Sequence, residues 1–150
     1  MIKKNTAIEE LKRLYNIENT LKYPSVPQHG RVTPKYADGT ANGLTACIVS
    51  WIRLHGGQAE RISIISRQVK GKFVHSNMTV GTADVSGIYQ GKSLKIEVKI
   101  GKDKQSDAQK EYALSVEKAG GIYFIATDFE MFVDWWKETF KENLSKKSNF

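Results

Sequence analysis

Apolar residues recur along the chain with two spacings, one helical and one alternating, and these spacings predict most of its elements. The first helical pattern is formed by Ile8, Leu11, Leu14 and Tyr15. At its start, Thr6 and Glu9 form a capping box, in which each side chain satisfies a backbone amide at a helix N-terminus. We therefore predict a short amphipathic helix from Thr6 to about Asn16.

A second helix is predicted between Thr40 and Leu54. Its broad apolar face comprises Leu44, Cys47, Ile48, Trp51, Ile52 and Leu54. The run His55-Gly56-Gly57 ends this helix, because glycine readily adopts the left-handed conformation that closes a helix. Residues 18–39 contain all three prolines, which predicts a loop or arm between the two helices.

Alternating patterns predict strands in the middle of the chain. Residues 59–69 alternate isoleucine with polar residues, and a hairpin at Gly71 would extend this strand. Two further strands are predicted over residues 83–89 and 93–100. The turn Gln90-Gly91-Lys92 joins them, with glycine where a positive φ is needed.

Two helices and one strand complete the pattern. Ser106-Asp107-Ala108-Gln109 is a second capping box and begins a helix that Gly120-Gly121 ends. Residues 122–126 form a short apolar strand. Asp128 caps a last helix, whose apolar positions extend to Phe140.

The order of these elements predicts the fold class. After an N-terminal helical arm the order is helix, strand, strand, strand, helix, strand, helix. A hairpin followed by a strand-helix-strand crossover indicates an α/β fold with a mixed central sheet flanked by helices. We assign residues 1–39 to the helix and Pro-containing arm, 40–142 to the α/β domain, and 143–150 to a frayed basic tail.

Charge is the feature of the composition that points to a partner. The chain of 150 residues has a formal net charge of +7, which favours polyanions such as nucleic acid. No apolar run approaches the roughly 18 residues that a bilayer span needs, and no secretory signal is apparent. Cys47 is the only cysteine, so an internal disulfide and a cysteine-rich zinc site are excluded. We expect a soluble, intracellular (cytoplasmic) protein with no membrane partner.

The candidate chemistry lies in Asp84 and in the run Glu97-Val98-Lys99. Alternate residues of a strand share a face, so Glu97 and Lys99 point the same way, and the hairpin places Asp84 on the neighbouring strand. Two carboxylates and an ammonium group would then meet at one edge of the sheet. Mg²⁺ prefers hard oxygen ligands, and Asp84, Glu97 and the carbonyl of Val98 form a candidate set. Lys99 could orient or deprotonate an attacking water, or stabilise charge on a phosphate.

These motifs resemble a known nuclease family. Gly81-Thr82-Ala83-Asp84, the hairpin, Ile96-Glu97-Val98-Lys99 and Gln105-Ser106-Asp107-Ala108-Gln109 look like the virus-type replication-repair nuclease (VRR-NUC) domain. That domain belongs to the PD-(D/E)XK superfamily, alongside Holliday-junction resolvases. The resemblance covers roughly residues 40–136.

The resemblance implies a restriction-endonuclease-like αβββαβ core and a DNA endonuclease activity that depends on Mg²⁺ or Mn²⁺. It implies hydrolysis of phosphodiester bonds in branched, flap or junction DNA. In such enzymes the aspartate and glutamate bind metal, the lysine assists the attacking water, and a glutamine on the next helix supports the site. These roles would fall to Asp84, Glu97, Lys99 and Gln109.

One departure concerns the first core helix. The resembled families often carry a further acidic residue there, whereas residues 40–45 contain no carboxylate. Asn42 is the nearest replacement, and Glu60 at the start of the first strand could compensate. A one-metal site is therefore the simpler expectation, with two metals left open.

Several polar residues have both a structural and a functional interpretation. Gln109 is either a helix cap alone or a cap that also supports the site. Residues expected to contact DNA are Lys92, Lys95, Lys102, Lys104, Gln105, Lys110, Arg61 and Arg67. An ordinary solvated surface is the alternative for these side chains. A non-catalytic DNA-binding module on a degenerate nuclease fold, and a structural protein on the same scaffold, are the alternatives for the whole chain.

The last expectation is a homodimer. Resolvases of the resembled kind cut two strands symmetrically, which calls for two sites related by a two-fold axis. Trp135 and Trp136 are adjacent, so one of them is expected to face away from the core and to serve an interface. The arm over residues 18–39 could instead wrap a partner subunit. A monomer that nicks flaps alone is the competing hypothesis.

Overall fold

The fold is described by a computed structural model, which covers residues 5–63, 67–74 and 79–141. Its elements are α1 (Thr6–Lys22), α2 (Ala41–Leu54), β1 (Gln58–Arg61), β2 (Arg67–Val69), β3 (Lys72–Val74), β4 (Val85–Tyr89), β5 (Lys92–Val98), α3 (Asp107–Lys118), β6 (Ile122–Ala126) and α4 (Phe129–Thr139). A 3₁₀ turn, Gln28–Gly30, lies between α1 and α2. Within these ranges no helix combines the length and the apolar character that a membrane crossing requires.

Four strands form a mixed sheet in the order β1-β4-β5-β6. β4 pairs antiparallel with both β1 and β5, whereas β6 pairs parallel with β5. The parallel pair needs the α3 crossover, because the chain must return to the end of the sheet at which β5 began. β2 and β3 form a separate two-stranded hairpin. The predicted α/β class, with a mixed sheet flanked by helices, is confirmed.

One face of this sheet is apolar and carries the core. Its buried side chains are Ala59, Val85, Leu94, Ile96, Val98 and Ala126. α2 packs on this face, and α1 and α4 pack against α2 to complete the layer. Each fully buried valine, leucine or isoleucine contributes about 1.5–3 kcal/mol through removal from water. The stability of the fold therefore comes mainly from this side.

The opposite face of the sheet is polar. The strand register aligns Glu60, Ser86, Lys95 and Tyr123 in one row across it. Glu97 lies two residues beyond Lys95 on β5 and so shares this face. α3 lies on this side, in contact with β6, and none of its side chains is fully buried. This face is therefore only partly covered and leaves room for a site.

The first turn of α1 is fastened to α4 by side chains. Glu130 accepts hydrogen bonds from the Thr6 hydroxyl at 2.6 Å and from the Ala7 amide at 3.0 Å. A salt bridge at 2.9 Å joins Lys137 of α4 to Glu10 of α1. These contacts connect positions more than 120 residues apart in the sequence. These contacts therefore hold the first and the last helix of the domain together.

The first helix differs from its prediction at both ends. Its N-cap is Asn5, whose side chain accepts a hydrogen bond from the Ile8 amide, so Thr6 is already helical. The helix continues past Asn16 to Lys22. It ends there because Pro24 disfavours a helical conformation at the residue before it. The loop predicted to begin at residue 18 is therefore shorter.

The first predicted strand is divided. β1 ends at Arg61, and the amide of Ile62 makes one more hydrogen bond, to the Asp84 carbonyl. β4 begins only at Val85, so pairing with β1 cannot continue further. Residues 64–66 lie outside the described residues, as does the tail over 143–150. The hairpin predicted at Gly71 is present as β2 and β3.

The hairpin between β4 and β5 turns at Gln90 and Gly91, with φ of 49° and 78°. Positive φ at both central residues is typical of the two-residue turn that matches the twist of paired strands. β5 then ends at Val98, two residues earlier than predicted. Asp84 and Lys99 consequently lie just outside the strand ends, where the backbone leaves the sheet.

Both tryptophans of α4 pack against aromatic rings. Trp136 is 4% exposed and contacts the rings of Tyr89 and Phe140. Trp135 stacks on Phe124 of β6 with ring centroids 4.1 Å apart. Trp136 is buried and Trp135 is half-buried, so neither ring points wholly away from the core, contrary to the expectation for one of the pair.

Candidate active site

Asp84 is held at the end of the sheet by the strand beside it. Its Oδ2 accepts a hydrogen bond of 2.8 Å from the amide of Val98. The β4–β5 register pairs Val85 with Ile96, so Asp84 and Glu97 are opposite each other one step further on. The predicted meeting of these two carboxylates at one sheet edge follows from this register.

Glu97 is buried in spite of its ionisable side chain, with 3% of its surface exposed. Its Oε1 accepts a hydrogen bond of 2.7 Å from Gln109 Nε2, and Lys99 Nζ is 3.5 Å from the same oxygen. Its Oε2 is buried and has no hydrogen-bond partner among the described residues. Buried polar atoms are nearly always paired, so this oxygen is suited either to a ligand or to sharing a proton with the Asp84 carboxyl, whose hydrogen bond also raises the pKa of Glu97.

The environment of Glu97 changes its protonation. Burial raises the pKa of this carboxyl to about 7, and the negative charge of Asp84 acts in the same direction. The ammonium group of Lys99 lowers the pKa but does not offset these effects. A cation bound to the two carboxylates would displace the proton, because a metal ligand must be deprotonated.

Lys99 follows β5 directly, and its backbone is fixed by a hydrogen bond of 2.9 Å from its amide to the Ala126 carbonyl. Its ammonium group lies between two carboxylates, 3.5 Å from Glu97 Oε1 and 3.5 Å from Asp103 Oδ2. The side chain is only 11% exposed. The aliphatic part of the Lys99 side chain is therefore held in place, and its ammonium group stays beside the Glu97 carboxylate.

Gln109 caps α3 and also contacts Glu97. Its amide and side chain form the capping box with Ser106 at the start of α3. The same side chain donates to Glu97 through Nε2. The amide group of one glutamine thus accepts at the helix N-terminus and donates to the buried carboxylate. The orientation of α3 and that of Glu97 are therefore coupled.

The sequence prediction missed two tyrosines beside this site. Tyr123 and Tyr112 pack edge to face, with ring centroids 6.3 Å apart. Burial raises the pKa of both hydroxyls, and the charge of Glu97 raises them further. Gln105 donates to the Tyr123 hydroxyl at 3.3 Å. Alternation along residues 122–126 could have indicated which side chains share a face with Tyr123. It could not show which residues of β5 lie beside them, because no local turn sets the register of a parallel pair.

The side-chain oxygens near Glu97 are of the chemical type that a hard divalent cation prefers. Within the described ranges, no group of three or more His, Cys, Asp or Glu side chains is arranged to hold a metal ion. The candidate donors from the sequence remain the carboxylates of Asp84 and Glu97 and the carbonyl of Val98, of which the two carboxylates face each other across β4 and β5. Mg²⁺ commonly uses one or two carboxylates and completes its shell with water and phosphate oxygens. The unpaired Oε2 of Glu97 is the observation that supports this fit.

Asn42, the candidate contributor from the first core helix, contacts Arg61 of β1. Its Oδ1 accepts a hydrogen bond from the Arg61 guanidinium. α2 packs on the apolar face of the sheet, which explains why the side chain near its start meets β1 there. Glu60 is exposed and lies on the polar face, in the row next to that of Asp84 and Glu97. Glu60 therefore lies closer than Asn42 to the side of the sheet that carries Asp84 and Glu97, and it is the one of the two that can add a negative charge.

The side chains predicted to contact DNA are distributed unevenly. Lys95 shares the face of Glu97 and donates to the Ser86 hydroxyl, and Lys102 and Lys104 are exposed in the loop before α3. Gln105 directly precedes the N-cap of α3, and Lys110 lies in the first turn of that helix. Lys92 is at the other end of β5 and, by alternation, on the other face.

Two predicted DNA contacts stand apart from this group. Arg61 is bound to Asn42 on the apolar side. Arg67 begins β2, and its side chain lies outside the described part of the chain.

The surroundings of Glu97 thus bring together Asp84, Lys99, Gln109 and two tyrosines at the end of β5. No protein-family model matches the chain, and a search of curated proteins finds no match either. The functional assignment therefore depends on this geometry and on the motifs that carry it.

Proposed function

We propose that this protein is a metal-dependent endonuclease that hydrolyses phosphodiester bonds in DNA. The observation that carries the proposal is the meeting of Asp84 and Glu97 at one sheet edge, with Lys99 3.5 Å from Glu97 and one buried Glu97 oxygen unpaired among the described residues. A buried carboxylate with a raised pKa is costly to maintain, and such residues concentrate at functional sites. The VRR-NUC-like motifs support the same assignment.

Asp84, Glu97 and the Val98 carbonyl would hold Mg²⁺ or Mn²⁺. When bound, the cation would acidify a water and neutralise charge on the phosphate. Gln109 keeps Oε1 of Glu97 occupied, which leaves Oε2 as the oxygen for the metal. Lys99, held between its two carboxylates, is positioned to orient the attacking water or to stabilise the phosphate.

The proposed substrate is branched, flap or junction DNA. The net charge of +7 favours a polyanion; Lys95 shares the face of the carboxylates, and Lys102 and Lys104 are exposed in the loop that follows Lys99. Ammonium contacts to phosphates fix the position of the DNA without selecting sequence. Preference for a DNA structure is therefore expected to exceed preference for a base sequence.

A cleavage assay tests the proposal. Purified protein is incubated with labelled linear, flap and four-way DNA, in Mg²⁺ and in EDTA. We expect cleavage only with Mg²⁺, and only by protein that retains Glu97. Glu97→Gln should be inactive, whereas Glu111→Gln, an exposed change on the same side of the sheet, should cleave normally. Equal cleavage by the two variants would reject the site.

A non-catalytic DNA-binding module is the second candidate function. The observation that favours it is that α2 contains no carboxylate and that its Asn42 binds Arg61, so this helix adds no ligand to Asp84 and Glu97. Such a module should bind the same DNA panel equally well in EDTA and in Mg²⁺ and should never cleave it. Binding of this kind by the unaltered chain, with no cleavage in Mg²⁺ or Mn²⁺, would favour the module over the nuclease.

A further inference from the structure

One face of α3 carries an exposed apolar centre between two opposite charges. Lys110, Ala113, Leu114 and Glu117 follow helical spacing and line one side of the helix. Leu114 is 66% exposed, far more than a leucine needs to be on a helix that already packs on a sheet. Lys110 and Glu117 lie about one turn to either side of it, and the exposed Lys110 also forms an ion pair of 3.8 Å with Asp107 at the start of the helix.

An open groove runs beside this face, between α3 and β6. Its volume is about 550 Å³, and β6 contributes Tyr123, Phe124 and Ile125 to its lining. Among the described strands, β6 has a neighbour on one side only. The Ala126 carbonyl accepts from Lys99 on β5, so by alternation the backbone groups of Tyr123 and Ile125 point to the open side. Exposed strand edges of this kind are usually covered in native proteins.

We propose that a second copy of this chain covers the surface, with the two α3 helices antiparallel about a two-fold axis near Leu114. In this arrangement the leucines of both copies meet at the axis and enter the grooves beside β6. The order of charges along α3 then becomes self-complementary, because Lys110 faces the partner subunit's Glu117 and Glu117 faces the partner subunit's Lys110. An isologous interface requires such self-complementarity.

The charges distinguish a second copy from DNA as the occupant. A surface for DNA would be expected to carry cations alone, whereas Glu117 would repel phosphate at one end of this face. The pairing assigns Lys110 to the subunit interface rather than to DNA. Hydrophobic contact at the centre with charges at the rim is also the usual composition of a protein interface.

The arrangement has a consequence for the proposed function. Gln109 of α3 contacts Glu97, so the interface and the candidate site share one face of the sheet. A two-fold axis through this face would present two sites on the same side of the dimer, as symmetric cleavage of two strands requires. This consequence depends on the nuclease proposal, whereas the interface itself does not.

Light scattering on the protein without DNA tests the interface. We expect twice the chain mass of 16.9 kDa at tens of micromolar for the unaltered chain. Leu114→Glu should reduce the mass to that of one chain, because two carboxylates would meet at the axis. Leu21→Glu is the matched control, since Leu21 is 76% exposed on α1, away from α3, and its change should leave the dimer intact. A monomer for the unaltered chain, or equal effects of both changes, would overturn the proposal.

Charge reversal tests the antiparallel arrangement independently of folding. Lys110→Glu alone and Glu117→Lys alone each create like-charge contacts at both ends, so dissociation constants should rise about tenfold or more. A mixture of the two single variants restores both attractive pairs, and a heterodimer should form with near-original affinity. The double variant should likewise recover the homodimer. Failure of both combinations, with circular dichroism unchanged, would exclude this pairing. Because these measurements need no cleavage, they fail or succeed separately from the nuclease assay.

Discussion

At the scale of single residues, the chain keeps one carboxylate in a position where its negative charge is disfavoured. Glu97 is buried, lies opposite Asp84 and has an oxygen without a partner among the described residues, while Lys99 and Gln109 contact only its other oxygen. The folded protein therefore prefers this residue protonated up to about neutral pH. Removing the ionisable group gives a direct measure of that preference.

The first prediction concerns stability and pH in the absence of metal. The folded pKa of Glu97 is about 7 against an ordinary value of 4.5, so the folded state binds more protons between these values and loses stability as pH rises through this window. Glu97→Gln removes this loss. Its free energy of unfolding relative to the unaltered protein should increase by roughly 2–3 kcal/mol between pH 5 and pH 8.

Urea denaturation in EDTA at several pH values provides the measurement. Glu111→Gln, which replaces an exposed carboxylate on α3, should show no comparable trend. Parallel pH profiles for Glu97→Gln and the unaltered protein would contradict the burial cost assigned to Glu97.

The second prediction concerns cleavage. Asp84→Asn and Glu97→Gln should abolish it, and Lys99→Ala should reduce it by about 10²–10⁴-fold, the usual contribution of a positioned acid–base group. The initial rate on the best DNA of the panel is the quantity to compare. Lys92→Ala, at the far end of β5, is the control and should retain activity. Full activity of Lys99→Ala would remove this lysine from the mechanism.

At the scale of elements, local turns explain which parts of the site could be predicted. Gln90 and Gly91 fix the register of β4 against β5, so the meeting of Asp84 and Glu97 was accessible from the sequence. Alternation along β5 also placed Lys99 correctly relative to Glu97. The same alternation could have separated Lys92 from the site, because Lys92 is five positions from Glu97 and strand residues an odd number of positions apart point to opposite faces.

Other features of the site depend on pairing between distant segments. β6 aligns with β5 only after the α3 crossover, and no turn sets that register, so the position of Tyr123 was not predictable. The burial of Glu97 depends in turn on where α3 lies over the sheet. The N-cap at Asn5 was missed for a simpler reason, because Thr6 and Glu9 offered an equally good capping pattern one residue later.

The third prediction concerns the contact between Gly81 and α3. Gly81 has a φ of 83°, and a Cβ placed on it would lie 2.5 Å from the backbone carbonyl of Ala108. Gly81→Ala should therefore destabilise the fold by about 1–3 kcal/mol beyond the cost of positive φ. Because Ala108 precedes Gln109, the change should also move the amide that holds Glu97 and should reduce cleavage.

Gly120→Ala is the matched control for this change. Gly120 has a φ of 87°, but a Cβ placed on it would have no atom of the described residues within 4 Å. This variant therefore isolates the backbone cost of positive φ, which is about 1–2 kcal/mol. Thermal unfolding of both variants should separate the two contributions. Equal losses would show that α3 moves away from Gly81 without resistance.

At the scale of the whole molecule, the charges are divided between the two sides of the sheet. Lys95 lies on the face of the candidate site, and Lys102 and Lys104 are exposed in the loop between β5 and α3, whereas Lys92 and Arg61 lie on the other face. A net charge of +7 alone would not reveal this division. Because the lysines lie on different faces, substituting them one at a time tests which ammonium groups contribute to DNA binding.

The fourth prediction concerns salt. If three lysines bind phosphates, affinity for DNA should fall roughly 40-fold between 50 and 200 mM salt. Lys102→Gln should reduce the slope of log affinity against log salt by about one. Lys92→Gln should leave the slope unchanged, because this residue lies on the other face. Fluorescence anisotropy in Ca²⁺ or EDTA, where cleavage is absent, measures both. Salt-independent binding would indicate that the basic charge does not contact DNA.

The fastening of α1 to α4 also has a consequence for how the chain is made. The buried apolar side of α1 is synthesised roughly 120 residues before Glu130 and Lys137, which is about 6–24 s at ordinary rates of translation. During that interval the helix can meet α2 but not its second neighbour. The contacts at Thr6, Ala7 and Glu10 are therefore among the last to form, and α1 has only one of its two neighbouring helices until α4 has been made.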